Sequence, residues 1–183
     1  MPSVEVEDLG NLLPQMLPRL WAFSLRLCGN RQDAEDLLRR ACVRGLESAH
    51  QLQPGTAPLI WMFSIVHLTW IDELRARKGR HESCIVGDDR VLQTVPDPSA
   101  RTPEQNALYT EMIEAVDHLP EPQRSVVLLV AVEGLSYAEA ASVLGVPPGT
   151  IMSRLSRARQ TVGAQFADSA AVALATDKPR GVP

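Results

Sequence analysis

Residues 134–163 read GLSYAEAASVLGVPPGTIMSRLSRARQTVG, and this stretch decides how the rest of the chain is read. Ser136 followed three residues later by Glu139 is the pattern of a capping box, which opens a helix. Ala140 is small where a second helix must come close. Gly145 falls where a tight turn needs a positive φ, which glycine adopts at no steric cost. Val146 can plug the gap between the two helices. Thr150 is expected to cap the second helix, with Ile151, Leu155, Ala158 and Val162 facing inward. Helix, short glycine-bearing turn, helix is the form that sets a second helix into the major groove of DNA. The residues left outside are Ser153, Arg154, Ser156, Arg157 and Gln160, small or rich in donors as base and phosphate contacts require. A helical hairpin with a solvated basic face would also carry an arginine run. The coincidence of cap, turn, plug and basic face favours DNA.

Upstream, the same half of the chain begins at Thr102-Pro103-Glu104, a cap followed by a first-turn proline. Leu108, Met112, Ala115, Val116 and Leu119 form the stripe of that helix. Pro120 and Pro122 break it. Val126–Val132 reads as a buried helix ending at Gly134; its β-branched run also suits a strand, but its neighbours are helical. From Gly79 to Arg101 periodicity is lost among Gly87-Asp88-Asp89 and Pro96-Asp97-Pro98, which reads as a linker.

The N-terminal half carries three more helical patterns. Leu13, Leu17, Leu20 and Leu27, with Met16, Trp21 and Phe23 beside them, recur at helical spacing until Gly29-Asn30. Asp33 is expected to cap the next helix, whose apolar side holds Ala34, Leu37, Leu38, Ala41, Cys42 and Leu46. Pro54-Gly55-Thr56 interrupts. Pro58 then opens a third helix with Leu59, Phe63, Val66, Trp70 and Leu74 as its stripe, ending in the basic run Arg75, Arg77, Lys78, Arg80 and His81.

The chain has 183 residues, 45% hydrophobic but only 4% aromatic, so its cores rest on Leu, Val, Ile and Ala. The expected fold is all-α: two small helical domains on a flexible linker. The divisions are a tail at 1–11, a first domain at 12–80, a linker at 81–102, a helix-turn-helix domain at 103–166 and a tail at 167–183. The net charge of −4 hides separate basic and acidic clusters, and the distribution matters more than the sum for a nucleic-acid ligand. Membrane insertion is not expected, because no apolar run approaches the ~20 residues of a bilayer span. The acidic N-terminus lacks the form of a secretory signal, so a cytoplasmic location is expected. Cys28, Cys42 and Cys84 fit neither a disulfide framework nor a zinc site. No metal, cofactor or catalytic constellation is read, so the chain is not expected to be an enzyme. Trp21, Trp61 and Trp70 could stack on single-stranded bases, but each lies on an apolar stripe and is expected in the core.

The second half resembles the −35-binding domain of bacterial sigma factors of the extracytoplasmic-function class. The residues that carry this are Leu119-Pro120, Gln123-Arg124, Glu133 to Ala141, Gly145 to Thr150 and Ser153 to Arg159. The first half resembles the other domain of the same family through Leu25 to Gly29, Asp33 to Leu37, Pro54-Gly55-Thr56, Trp61 to Ile65 and Ile71 to Arg75. The resemblance implies a transcription initiation subunit that joins core RNA polymerase and recognises promoter DNA. Thr150, Ser153, Arg154, Ser156, Arg157 and Arg159 would meet the −35 element. Pro54, Gly55, Thr56 and His67 would meet the −10 element, and Arg75, Arg77, Lys78 and Arg80 the adjoining phosphates. Asp33, Glu35, Asp36, Leu37 and Arg40 would face the polymerase. The implied partners are the β′ clamp helices and β flap of the polymerase, promoter DNA and an anti-sigma factor. Thr102 to Asn106 and Leu25 to Gly29 further resemble the general-stress subgroup.

The chain departs from the family pattern at Arg39-Arg40, at His67-Leu68, at Thr56-Ala57-Pro58 and at Met152, where a basic residue is usual. Two other readings stay open: a helix-turn-helix regulator that binds duplex operators alone, and a sigma mimic that captures an anti-sigma factor without initiating.

Overall fold

The computed structural model describes residues 6–79 and 103–176, and all the regular structure among them is helical. The expected linker and Arg80 lie outside those residues. Seven α-helices follow in chain order: α1 Val6–Cys28, α2 Arg31–Glu47, α3 Pro58–Gly79, α4 Pro103–Asp117, α5 Glu121–Val127, α6 Tyr137–Leu144 and α7 Pro148–Thr176.

α1 begins earlier than its sequence stripe suggests. Val6–Asn11, expected in a tail, form its opening turns, and Leu9 is fully buried. The buried stripe runs Leu9, Met16, Leu20, Phe23 and Leu27, while Leu17 stays exposed. That spacing, advancing by three, four or seven residues, holds one helix face to the core. Pro14 and Pro18 both sit inside the helix on its exposed side.

The cap of α2 is Asn30 rather than Asp33. The Asn30 side-chain oxygen accepts the Asp33 backbone N–H at 2.9 Å, and its amide donates to Asp33 Oδ2 at 2.9 Å. Asp33 thus lies in the first turn, where its charge favours the helix dipole. α1, α2 and α3 pack together, with Phe23 meeting Phe63 edge-to-face at 5.1 Å between ring centres. Trp70 is buried here, and Trp21 and Trp61 are partly buried.

In the second half, Ala115 of α4 and Leu119 just after it lie in the core, but Met112, expected in the α4 stripe, is exposed. Leu108 lies outside the residues whose side chains are described. The Val126–Val132 run is helical, not a strand. After α5 it widens into one looser turn, in which the Glu133 N–H reaches the Leu128 carbonyl five residues back at 2.9 Å. α7 packs on α4, α5 and α6 and continues through Thr176, well past the expected boundary at residue 166.

The two halves are not separate beads. α3 packs against α6, and one continuous apolar cluster joins Phe63, Val66 and Trp70 to Val126, Leu129, Leu135 and Val143. Arg19 of α1 donates from Nε to Glu133 Oε2 at 3.1 Å and from Nη2 to the Glu133 carbonyl at 2.8 Å. Arg124 Nη2 donates to the Leu27 carbonyl at 2.9 Å, filling an acceptor that the end of α1 leaves open.

Candidate nucleic-acid interface

The helix-turn-helix is built as its residues dictate. Ser136 Oγ accepts the Glu139 N–H at 3.2 Å, and Glu139 Oε2 accepts the Ser136 N–H at 2.8 Å. These hydrogen bonds from Ser136, side chain first, hold the Glu139 carboxyl below its ordinary pKa. Gly145 ends α6 at φ +63°, and Val146 follows half-buried between the helices. α7 starts at Pro148, so Thr150 is not its cap. It lies in the first turn, with its N–H on the Pro147 carbonyl at 2.9 Å. Ile151, Leu155 and Ala158 are buried and Val162 half-buried.

The outward face of α7 has a definite chemistry. Opposite the buried stripe, at 3.6 residues per turn, Ser153 and Gln160 fall nearest its centre line. Gly149 and Ser156 lie beside that line, with Arg157 on one side and Arg159, past Gly163 and Met152, on the other. All eight are exposed, while Arg154 and Thr150 are half-buried. A centre of small residues lets a helix approach a groove floor, and arginines at the flanks suit phosphates on either side. Met152, 58% exposed, is an apolar side chain on this face.

In the first half, the segment before α3 is a tight turn. The Thr56 N–H donates to the Gln53 carbonyl at 3.1 Å, and Gly55 has φ +88°. Proline at the second and glycine at the third position is the pattern of a type II turn. It leaves Pro54 and Gly55 exposed and Thr56 half-buried beside them.

The acids and bases expected to face the polymerase and DNA largely neutralise one another. Arg77 pairs with Asp33 and with Glu73, each at 2.9 Å, and its guanidinium lies 6.0 Å from the centre of the Trp70 ring. Arg40 pairs with Asp36 and Glu73, each at 3.0 Å, and Arg39 with Glu35 at 3.5 Å. The departure at Arg39-Arg40 thus has a local reason: these arginines answer acids on α2 and α3. The bond from Arg77, with help from Arg40, holds the Glu73 carboxyl below its ordinary pKa against the opposing effect of burial. In return, the hydrogen bond to Glu73, with help from Asp33, raises the Arg77 pKa against the opposing effect of burial.

Three residues expected on binding surfaces stand elsewhere. Leu37, expected against the polymerase, is buried in the core because it shares a face with Ala34 and Ala41. Arg77, expected on phosphates, is committed to Asp33 and Glu73. His67, expected on the −10 strand, is buried against the second half, with Nε2 3.3 Å from Glu121 Oε1. Arg75 and Lys78 are exposed, as are Glu35, Asp36 and Arg40.

Burial pushes the Cys28 thiol up to about 12, with Asp33 adding to the effect, and burial raises Cys42 as well. Thiols held protonated in this way are poor nucleophiles. Cys84 lies outside the described residues. Among the described residues no group of three or more His, Cys, Asp or Glu is placed to hold a metal ion, and no helix is long and apolar enough to cross a membrane.

Comparison with known proteins brings the two halves under one description. The family pattern for sigma-70 region 2 matches residues 12–80, and that for sigma-70 region 4 matches residues 109–162. An ECF RNA polymerase sigma factor, EcfG of Rhodopseudomonas palustris, is 32% identical over 148 residues, covering 81% of this chain and 79% of that protein. The chain belongs to the extracytoplasmic-function sigma factors of the sigma-70 family.

Among other relatives, the ECF sigma factor SigE of Mycolicibacterium smegmatis is 36% identical over 150 residues, 81% of this chain and 58% of the relative. Among solved structures, the sigma factor RpoE of Bartonella quintana, determined in complex with the anti-sigma factor NepR, matches at TM-score 0.70. It is 25% identical and covers 88% of this chain and 98% of that one. CnrH, solved with the cytosolic domain of CnrY, shares the fold at TM-score 0.58 and 20% identity, over 88% of this chain and 89% of that one. In this sigma factor, Ser153, Ser156, Arg157 and Arg159, expected from the sequence to meet the −35 element, lie exposed on α7 within the region 4 match. The interhalf contacts at Arg19, Arg124 and Glu121 had no signal in local sequence pattern. A weak one existed in α3, where the apolar run Leu59–Ile71 has no polar side and calls for cover on more than one face.

Proposed function

We propose that this sigma factor joins core RNA polymerase in the cytoplasm and directs it to promoters through two DNA-reading faces, without catalysing a reaction itself. Residues 103–166 form the −35-binding domain, in which Ser153, Ser156, Arg157 and Arg159 face the groove and Thr150 and Arg154 support its edge. Residues 12–80 form the −10 and polymerase-binding domain. Its exposed turn at Pro54-Gly55-Thr56 is the place for an extruded −10 base, whose unstacking a shaped pocket can offset. Arg75 and Lys78 supply sequence-blind phosphate attraction. Glu35, Asp36 and Arg40 face the β′ clamp helices, where charge gives steering and register more than raw affinity. The residues 81–102 connect the domains, and region 4 docks on the β flap. The polymerase holds two weak DNA readers at high effective concentration, which makes their combined binding strong. An anti-sigma factor is the expected inhibitor, by analogy with the Bartonella quintana relative solved with one, and a stress response is the expected setting.

The observation that carries this reading is the outer face of α7, small along its centre and basic at its flanks, on a chain whose other half matches region 2. The test is reconstitution with core polymerase and transcription from the genomic promoters the holoenzyme enriches. Specific transcripts are expected. Operator binding by the free chain, without polymerase, would replace this reading with that of a lone regulator. Capture of an anti-sigma factor with no transcripts would make the chain a mimic.

A further inference from the structure

We propose that Met152 is a specificity-determining residue of the −35 reader: its thioether selects a base pair that offers a thymine methyl group at the point of the major groove it faces. The inference deepens the reading of α7 as the −35 helix and rests on it. Met152 is 58% exposed, more than any other large apolar side chain among the described residues. The core does not use it, since Ile151 and Leu155 are the buried residues of this part of α7. Single exposed apolar side chains are ordinary, so the position of this one has to carry the argument.

Met152 stands near the start of α7, four residues after Pro148, where a recognition helix reaches base edges. Helical side chains lean toward the N-terminus, over the residues three and four positions back. For Met152 those are Gly149 and Pro148. Gly149 brings no side chain, and nothing lies within 4 Å of where its Cβ would be. The thioether therefore has open space beside it. Ser153, next in the chain, donates from Oγ to the Thr150 carbonyl at 3.0 Å, so its proton is turned back onto the helix. The opening of the outer face thus presents an apolar contact where the family pattern usually presents a cation.

The base chemistry follows from what the groove displays. The thymine C5-methyl is the one apolar group that a base pair shows there. Against it, a thioether buries apolar area. Against O6 and N7 of guanine or the amino group of cytosine, it strips water from polar atoms and returns no hydrogen bond. The unbranched, polarisable methionine chain can adapt its reach to the methyl. Arg157 and Arg159, exposed on either side of the face, can fix the helix on phosphates while Met152 discriminates. A cation at this position would instead favour guanine. The −35 element of this sigma factor should therefore differ, at this base pair, from that of a relative with lysine or arginine there.

The test is equilibrium binding of the full holoenzyme to the promoter fragments it enriches, with each −35 thymine, on either strand, replaced in turn by uracil. Uracil keeps every hydrogen-bonding atom and lacks only the methyl. At one position the replacement is expected to weaken wild-type binding about fourfold, the factor for one buried methyl group (~0.8 kcal/mol). Met152→Ala should lose at least as much on the thymine fragment and become indifferent to the replacement. Met152→Leu should recover the discrimination. Arg157→Ala should weaken binding to both fragments and keep the methyl effect. A wild-type holoenzyme indifferent to every replacement would overturn the inference. So would a methyl effect that persists in Met152→Ala, or −35 elements with no thymine on either strand. In those cases a loss of binding in Arg157→Ala would leave the −35 reading of α7 standing. If neither Met152→Ala nor Arg157→Ala alters promoter binding, both fall.

Discussion

Arg77 distinguishes a structural from a DNA-contacting role most sharply. The family resemblance places it on phosphates; the structure places it between Asp33 and Glu73, with a side chain 23% exposed. Replacing it with Met keeps most of the apolar stem and removes the guanidinium. A hydrogen bond to a charged group contributes about 1.5–3 kcal/mol. Partial exposure of Glu73 and Asp33, 16% and 31%, reduces each of the two bonds to about 1 kcal/mol. The contact with Trp70 adds about 0.5–1 kcal/mol. The loss is therefore about 2–3 kcal/mol, which for a chain of this size lowers the melting midpoint by roughly 5–10 °C. Arg75→Ala is the control: its side chain is 76% exposed and meets Asp72 at 3.5 Å. It should change stability by no more than about 0.5 kcal/mol. It should instead reduce the salt dependence of holoenzyme–promoter binding by about one unit of slope. The assays are urea or thermal unfolding of the free chain and promoter binding over a salt series. An Arg77→Met chain with unchanged stability and a reduced salt slope would refute the assignment of Arg77 to the internal network.

Four further outcomes are expected. Arg157→Ala should weaken holoenzyme binding to −35 DNA by about 1–3 kcal/mol if it reads a base edge, and an electrophoretic shift unchanged at moderate salt would remove it from that role. Met152→Lys should add a cation to the exposed face of α7 and steepen the salt slope by about one unit, measured on the same promoters. Gly145→Ala should cost about 1–2 kcal/mol from its left-handed backbone alone, since nothing lies within 4 Å of the added carbon, and Gly145→Asn should cost less; equal unfolding midpoints for the two would contradict this. The Glu73 carboxyl has a folded pKa below its ordinary value of 4.5. Its stabilising contribution is therefore complete above about pH 4.5 and is lost as pH falls through the lower folded value, whereas Glu73→Gln should be less stable at neutral pH and lack that acid-side loss.

Much of the fold was legible because its determinants are local. The Ser136–Glu139 cap, the turn at Gly145 and the inward spacing of Ile151, Leu155 and Ala158 all follow from backbone and helix geometry within a few residues. The same is true of Pro58 opening α3 and of the turn at Pro54-Gly55. Where local reading erred, neighbours decided. Asn30 rather than Asp33 caps α2 because the helix opens at Arg31, which puts Asp33 inside the first turn, where it accepts from Asn30 and pairs with Arg77. Leu9 rather than Leu17 lies inward on α1 because the packed face, not leucine content, selects the stripe.

The amino-acid sequence by itself determined an all-helical chain with a helix-turn-helix whose outer face suits DNA, since capping, turn chemistry and 3.6-residue periodicity are short-range. Only the tertiary structure decided which charges are free and which are spent on one another. It also decided that His67 is covered and that Arg19 and Arg124 join the two halves. Those contacts link residues up to 114 positions apart, and a pattern read along one helix carries no information about which distant surface will meet it.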